Sequence, residues 1–531
     1  MHNSFKLKDK TTTIVFWFFI VLSLAIRLVN INSPITESHA YRQTQTALTI
    51  RNFVMEGIKI FNYETPLFGP PWQIPFEFPT FQLTAALLMK LGISNIDLAG
   101  RITGIFYFYI SVLYLYLITK LVFKEKQLPV FILFYYLFNP FNIYWSRTCM
   151  IDYCSVAFSL GYLLFFIQWL KKQDKLSFFY LSTLFGIFAY LTKITTVFAF
   201  LPLMIFLVIY FFIKGNDDTA ELFLNISLKK NKRFFAFLLI IFIIPFVAGY
   251  SWVMYADYVK NSSPFTSWLT SKNMAHWNYG TFKQRLEIKN WLRIKDYLHV
   301  MVPAYLVCFL PFGILYALKH RKETALLFFS TLSGSFFVII VFFNLYTIHN
   351  YYLMAISPLV SIMIGISLYA FFYKFTRRNS IVVFITVVFI TLTVFPKFVA
   401  ELTFPLTQNK YQTKRTISDF LKLITTENEY TIITGPDWYP KILYYANRKG
   451  FMLCEKYTPE MAAFLKKYNF TTILTTTPHP ELFSNWKYII EIESYATSAN
   501  RYHIFKVTDN PETLNRWKHQ YSSLSRYGTS P

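Results

Sequence analysis

The chain is short of charge and of cysteine. Only 15% of its 531 residues are Asp, Glu, Lys or Arg, where a soluble domain carries about a quarter, so a fully solvated enzyme is excluded. The four cysteines, Cys149, Cys154, Cys308 and Cys454, form no C-x-x-C pair and have no metal-ligand spacing, which gives no sign of a disulfide framework or a zinc site. Acids are scarcer than bases, 28 Asp and Glu against 52 Lys and Arg, for a net charge of +24. Such a surplus could serve a nucleic acid. Here the bases sit in short clusters between apolar runs, a pattern that reports membrane topology, and no nucleic-acid partner is expected.

Apolar residues take the place of charge: 54% of the chain is hydrophobic and 20% aromatic. A crossing needs about 20 apolar residues, and candidate spans lie at 12–30, 100–123, 128–145, 153–170, 177–192, 194–213, 234–254, 301–319, 324–343, 351–372 and 380–398. The first follows a basic N-terminus but is too long for a signal-peptide core, so it reads as a retained helix. The clusters KEKQ at 124–127, KKQDK at 171–175, KKNKR at 229–233, KHRKE at 319–323 and KFTRR at 374–378 all fall on the N-terminal side of this threading, as the positive-inside rule requires. The expectation is a multi-pass protein with a cytoplasmic N-terminus and an extracytoplasmic C-terminus. The apolar stretch 77–92 cannot be a crossing without inverting every later loop, and reads as an interfacial helix.

Three polar bodies then face outward: loops 31–99 and 255–300 of a membrane core over 1–399, and a tail from 400. In the tail, β-branched runs such as 430-YTIITG-435 and 471-TTILTT-476 alternate with helix-like segments, which predicts a small α/β domain over 400–510. Residues 511–531 read as a weakly ordered end.

On this threading the ionisable residues outside the basic clusters gather at the outer boundary. Glu37, His39, Arg42 and Glu77 belong to the first loop, and Arg101 opens the second span. Asp152 stands at the mouth of the fourth, Lys193 at the junction of the fifth and sixth, and His349 with Tyr352 at the cap of the tenth. Singly, such residues are often interfacial anchors; an Asp at the mouth of an apolar helix is costly and commonly functional. Together, cations that bond phosphate and a carboxylate able to take a hydroxyl proton suit a lipid-linked phosphate substrate. The chemistry that fits is glycosyl transfer with a lipid phosphate as leaving group.

The motifs also resemble a known group. 39-HAYRQTQTALTIRNF-53 is similar to the HxWRQxDTAxxARNF signature of bacterial membrane glycosyltransferases related to family 39, the protein O-mannosyltransferase group. Segments 77-EFPTFQ-82, 100-GRITGIFY-107, 146-SRTCMIDYCSVAF-158, 190-YLTKITTVFAFLPL-203 and 349-HNYYLMAISPL-359 match others in order. The resemblance implies an all-α polytopic GT-C core with its active site outside, in the bacterial inner membrane. It also implies a polyprenyl-phosphate sugar donor, a lipid, glycan or protein acceptor, and a place in cell-envelope glycosylation. Carried over, Asp152 is the acid of the third-to-fourth loop and Glu77 that of the interfacial helix. Arg42, Lys193 and His349 become phosphate or sugar contacts. The signature's acid is Gln45 here and its tryptophan Tyr41, and the Glu-Lys-Pro of lipid A aminoarabinose transferases is Glu77-Phe78-Pro79. The expected reaction is an inverting displacement with Glu37 or Asp152 as catalytic base and His39, Arg42, Glu77, Arg101, Lys193, His349 and Tyr352 around the donor. A divalent cation held among Glu37, Glu77, Asp152 and His349 is an open alternative. The rival readings are a transporter or flippase of a lipid-linked saccharide, and an inactive relative that only binds one.

Overall fold

The computed structural model describes residues 9–125, 127–214, 232–320, 322–375, 409–435, 438, 440–454, 457–476, 480–496 and 501–521. The expected span 380–398 and most of the basic clusters at 229–233 and 374–378 lie outside these residues. Helices dominate the first 375 positions: α1 Asp9–Leu28, α2 Ala40–Met55, α3 Thr80–Lys90, α4 Ile96–Val122, α5 Leu128–Phe138, α6 Pro140–Trp145, α7 Asp152–Lys171, α8 Leu176–Val197, α9 Leu201–Lys214 and α10 Lys232–Asn261 come first. Among the described residues six helices, α4, α7, α8, α10, Thr324–Val341 and Asn350–Phe372, are long and apolar enough to cross a membrane. This is a multi-pass membrane protein.

Several expected spans are broken, each for a local reason. Span 128–145 is two helices that part at Asn139, before Pro140, since proline cannot continue the hydrogen-bond ladder. Span 301–319 starts at a corner: Ala304–Lys319 meets Ile288–Met301, expected as part of the loop 255–300, at an 87° bend, with Pro303 between them. The boundary expected at 192–194 is a break inside α8, where Lys193 leaves helical geometry at φ −165° and ψ 97°. Helix α3 has eleven residues, about 16 Å at 1.5 Å per residue, too short to cross.

Among the described residues three of the basic clusters, 124–127, 171–175 and 319–323, share one end of the bundle. Tyr316, beside 319–323, donates to Glu125 of 124–127 at 3.4 Å, and Lys171 donates to the Leu121 carbonyl at 2.7 Å. Packing at the opposite end depends on two glycines. A Cβ at Gly100 would strike the Cys149 sulfur and one at Gly104 the Thr148 carbonyl, so both let the 146–151 turn lie directly on α4.

The C-terminal region carries a five-stranded sheet of order β2-β1-β3-β5-β4, with β1 Tyr430–Thr434, β2 Gly450–Leu453, β3 Phe470–Thr475, β4 Tyr488–Ala496 and β5 Arg501–Thr508. Strands β1, β2 and β3 pair in parallel, and β5 is antiparallel to β3 and β4. Residues 511–531, read from sequence as a weakly ordered end, begin with a helix, Pro511–Tyr521, because Trp517 and Tyr521 find burial.

The sheet is interlocked with the first polar loop. Segment 66–69 lies antiparallel along the β2 edge: Met452 N–H donates to the Leu67 carbonyl (2.8 Å), Gly450 N–H to that of Pro66 (3.3 Å), and Gly69 N–H to that of Gly450 (3.2 Å). The Tyr444 and Tyr445 hydroxyls both donate to Asp97 at the start of α4. Phe265, from the loop after α10, is buried in the sheet's own core with Phe451, Leu465 and Ile473.

Candidate active site

The site is built on breaks and caps. His39 precedes α2 with a left-handed backbone, φ 54° and ψ 35°. A non-glycine residue pays about 1–3 kcal/mol for such geometry, and its ring is held from several sides. Its Nδ1 lies 3.2 Å from the Tyr41 hydroxyl and its Nε2 3.0 Å from Asn350 Oδ1. The Tyr41 hydroxyl in turn reaches the His349 ring at 3.1 Å. His349 stacks on Tyr351 and Tyr351 on Tyr352, with centroids 5.3 and 4.5 Å apart. Burial pushes the His349 pKa down to about 4, and the neighbouring His39, Lys193 and Arg42 add to the effect. Burial also lowers that of His39, against the hydrogen bond its ring donates to Asn350 Oδ1 and the charge of Asp152. Both rings are therefore neutral at physiological pH.

Beside the rings stands the first ion pair. At the break in α8 the Lys193 ammonium lies 2.5 Å from Asp152 Oδ1 and 4.4 Å from the Tyr352 ring centroid. Asp152, in the first turn of α7, is 2% exposed, and its Oδ2 is buried without a hydrogen-bond partner among the described residues. A buried carboxylate oxygen left unmatched is costly, and is a group that a substrate hydroxyl could satisfy.

A second pair joins the first loop to the entrance of α3. Arg42 donates to Glu77 Oε2 at 3.0 Å, and Gln82 donates to Oε1 at 3.0 Å. Segment 76–78 is pinned in place: Phe76 N–H donates to the Tyr63 hydroxyl at 2.6 Å, which donates to the Glu77 carbonyl at 2.8 Å. Phe78 N–H donates to the Leu191 carbonyl, just before the break in α8. Burial works against the Arg42 charge, but Glu77 with Tyr351 and Tyr352 together outweighs it and raises the guanidinium pKa.

The third pair has another character. Both Glu37 oxygens lie within 2.9 Å of Arg101 Nη2. Arg101, 3% exposed, also donates to the carbonyls of Ser33, Pro34 and Arg147. All three of its nitrogens are engaged, and the pair fastens the first loop to α4. Next to it Arg147 is buried with no hydrogen bond or ion pair to its guanidinium among the described residues, and burial followed by Arg101 pushes its pKa down to about 10.

His39, Arg42, Glu77, Asp152, Lys193, His349 and Tyr352 thus meet around one region, while Glu37 and Arg101 form a separate latch. The carboxylates do not converge: each faces its own cation, and among the described residues no three His, Cys, Asp or Glu side chains could hold a metal. Sequence reasoning passed over Asn350, Gln82, Lys260 and Trp438. Trp438 donates to Gln45 Oε1 at 3.2 Å, so the position where the signature has an acid faces the C-terminal domain. Lys260 could have been noticed as a lone base closing the apolar run of α10; Trp438 gave no signal beyond its place in 436-PDWYP-440.

Residues 75–217 match the family model of dolichyl-phosphate-mannose-protein mannosyltransferases. No curated protein matches the chain. The structure is similar to the crystal structure of ArnT from Cupriavidus metallidurans bound to undecaprenyl phosphate, with TM-score 0.56 and 10% identity over 93% of this chain and 98% of that one. It is similar to the apo state of the same protein, with TM-score 0.56 and 9% identity over 94% and 98%. The apo oligosaccharyltransferase of Archaeoglobus fulgidus is also similar, with TM-score 0.52 and 12% identity over 88% of this chain and 70% of that one. These likenesses run through membrane helices and C-terminal region alike, and the fold is of the GT-C type.

Proposed function

We propose that this chain is a GT-C glycosyltransferase of the protein O-mannosyltransferase-related group, moving a sugar from a polyprenyl-phosphate donor to an acceptor hydroxyl. The observation that carries the proposal is the Lys193–Asp152 pair at a break in a membrane helix, with one Asp152 oxygen unsatisfied among the described residues. Helix α8 brings the ammonium to the level where a lipid phosphate would ride, and Arg42 approaches from the loop. The undecaprenyl phosphate bound to ArnT supports the same class of donor for a chain of this fold.

Asp152 is the base, since Arg101 occupies both oxygens of Glu37. The acceptor oxygen attacks the anomeric carbon while its proton passes to Asp152 Oδ2. The bond from that carbon to the phosphate oxygen breaks on the opposite face, so configuration inverts. Polyprenyl phosphate departs against Lys193 and Arg42, whose fixed charges stabilise the anion as it forms. Neutral His39 and His349, held by Tyr41 and Asn350, shape the sugar site without adding charge. The basic clusters support a cytoplasmic N-terminus and a site on the outer face of the bacterial plasma membrane. Gathering of these ionisable groups at one end supports transfer over transport.

Purified protein in nanodiscs, given a panel of radiolabelled polyprenyl-phosphate sugars, should consume one of them, and Asp152→Asn should not. No consumption of any donor, or equal consumption by the variant, would overturn the reading.

A further inference from the structure

Arg42 and Glu77 divide the site into two regions. On one side lie Lys193, Asp152, the stacked tyrosines and the histidines. On the other, Lys260 ends α10. It is 7% exposed, and among the described residues its ammonium has neither an ion pair nor a hydrogen bond. It stands over the Phe76 ring, 5.3 Å from the centroid. The acids whose charges act on it are Asp257 and Glu77. Glu77 already gives one oxygen to Arg42 and the other to Gln82, and Asp257 is taken by the N–H and hydroxyl of Ser271. A buried ammonium without a counter-charge is expensive, and an anionic ligand would remove that cost.

The same Phe76 ring touches a wall of indoles. Trp438 lies edge-on to it with centroids 6.0 Å apart, and Trp268 stands 6.1 Å from Trp438. Both tryptophans are half-buried. The Trp438 N–H is spent on Gln45 and that of Trp268 on the Phe265 carbonyl, which fixes the rings. Trp438 follows the carboxyl end of β1. That strand lies between β2 and β3: the chain runs to β2 on one side of it and then crosses back to β3 on the other, so the strand order reverses there, and ligands of open α/β sheets bind at such a switch point. Rigid aromatic faces bordered by amide and ammonium are the chemistry that holds a sugar ring bearing an acid group.

We propose that Lys260, Phe76, Trp438, Trp268 and Gln45 form the acceptor subsite, and that the acceptor is an anionic saccharide carrying a uronate or a phosphate. The assignment rests on the glycosyl-transfer reading above, and the division follows from position. Lys193 sits at the break of a membrane helix, where a lipid-borne donor arrives; Trp438 is supplied by the C-terminal domain, which only a substrate from outside the bilayer meets.

Full-length protein in nanodiscs would be tested for binding to immobilised oligosaccharides, some neutral, some with uronate and some with phosphate, and separately to undecaprenyl phosphate. Wild type should prefer the acidic members. Trp438→Ala should weaken saccharide binding about tenfold while Trp438→Phe keeps most of it. Lys260→Met should lose about 30-fold on acidic members and little on neutral ones. Undecaprenyl phosphate binding should stay unchanged in these variants. Wild type that shows no acidic preference, or Lys260→Met and Trp438→Ala that bind saccharide as wild type does, would overturn the proposal. So would loss of undecaprenyl phosphate by Lys260→Met with saccharide binding intact, which would hand the ammonium to the donor. Failure of wild type to bind undecaprenyl phosphate would instead count against the donor reading.

Discussion

Lys193 and Asp152 come within 2.5 Å of each other at the point where α8 stops being helical. The break turns the lysine out of the helix and toward the mouth of α7, where the carboxylate sits in the first turn. Each residue justifies the other: an ammonium at the edge of an apolar bundle and a carboxylate 2% exposed are both unfavourable alone.

Separating the pair should therefore affect stability and activity differently. Lys193→Met strands a buried carboxylate and should destabilise the protein by about 3–5 kcal/mol. Adding Asp152→Asn should restore much of the thermal stability in detergent-solubilised protein. Activity should fall about 10²–10⁴-fold in Asp152→Asn alone. A double variant less stable than Lys193→Met would show that the pair is not the source of the cost.

Glu37 should behave as a latch. Glu37→Gln leaves Arg101 buried without its counter-charge, so the melting temperature should drop while transfer per folded molecule changes by less than about tenfold. A well-folded Glu37→Gln protein that has lost about 10²-fold or more in rate would move the base to Glu37.

His349 predicts an acid limit. Its pKa is lowered to about 4 from 6.5 by burial and by the adjacent His39, Lys193 and Arg42, so between these values the unfolded chain binds the proton and the folded chain does not. Stability from this group is fully present above about pH 6.5 and is lost as pH falls toward 4. A melting-temperature profile over that range should be flatter in His349→Gln than in wild type; parallel profiles would exclude the histidine.

Two contacts of the C-terminal domain should differ in weight. Lys449 bridges Glu56 and Glu64 at 2.8 and 3.2 Å at the surface, and Lys449→Met should cost no more than about 1 kcal/mol. Asp97→Ala leaves the Tyr444 and Tyr445 hydroxyls without their acceptor. Limited proteolysis between 400 and 460 should accelerate in Asp97→Ala and not in Lys449→Met.

The membrane core was legible because its signals are local, apolar runs and basic clusters, whereas the corners at Pro140 and Pro303 were read through as continuous spans. The parallel strands of the tail could be read from 430-YTIITG-435 and 471-TTILTT-476. The candidate site was legible as a set of residue types but not as pairs. His39 meets Asn350 across 311 positions and Trp438 meets Gln45 across 393, distances at which sequence spacing carries no geometric information. The break at Lys193 was legible as the junction of two expected spans but not as a kink inside one helix, for another reason. Nothing in 190-YLTKITT-196 forbids a helix, and the turn is imposed by contacts with Asp152 and with Ser155, which donates to the Lys193 carbonyl.

The strand-like segment 66–69 changes what the two halves of this protein are to each other. It belongs to the first loop yet completes the open margin of a sheet encoded nearly 400 residues later. A C-terminal half made alone would present the bare rim of β2, with unpaired N–H and C=O groups ready to recruit another strand. A membrane half made alone would keep its helices but lose the surface on which its reactive loop is laid. Cutting the chain near 400 would therefore yield two fragments that each lack a wall, and mixing them should restore what neither has.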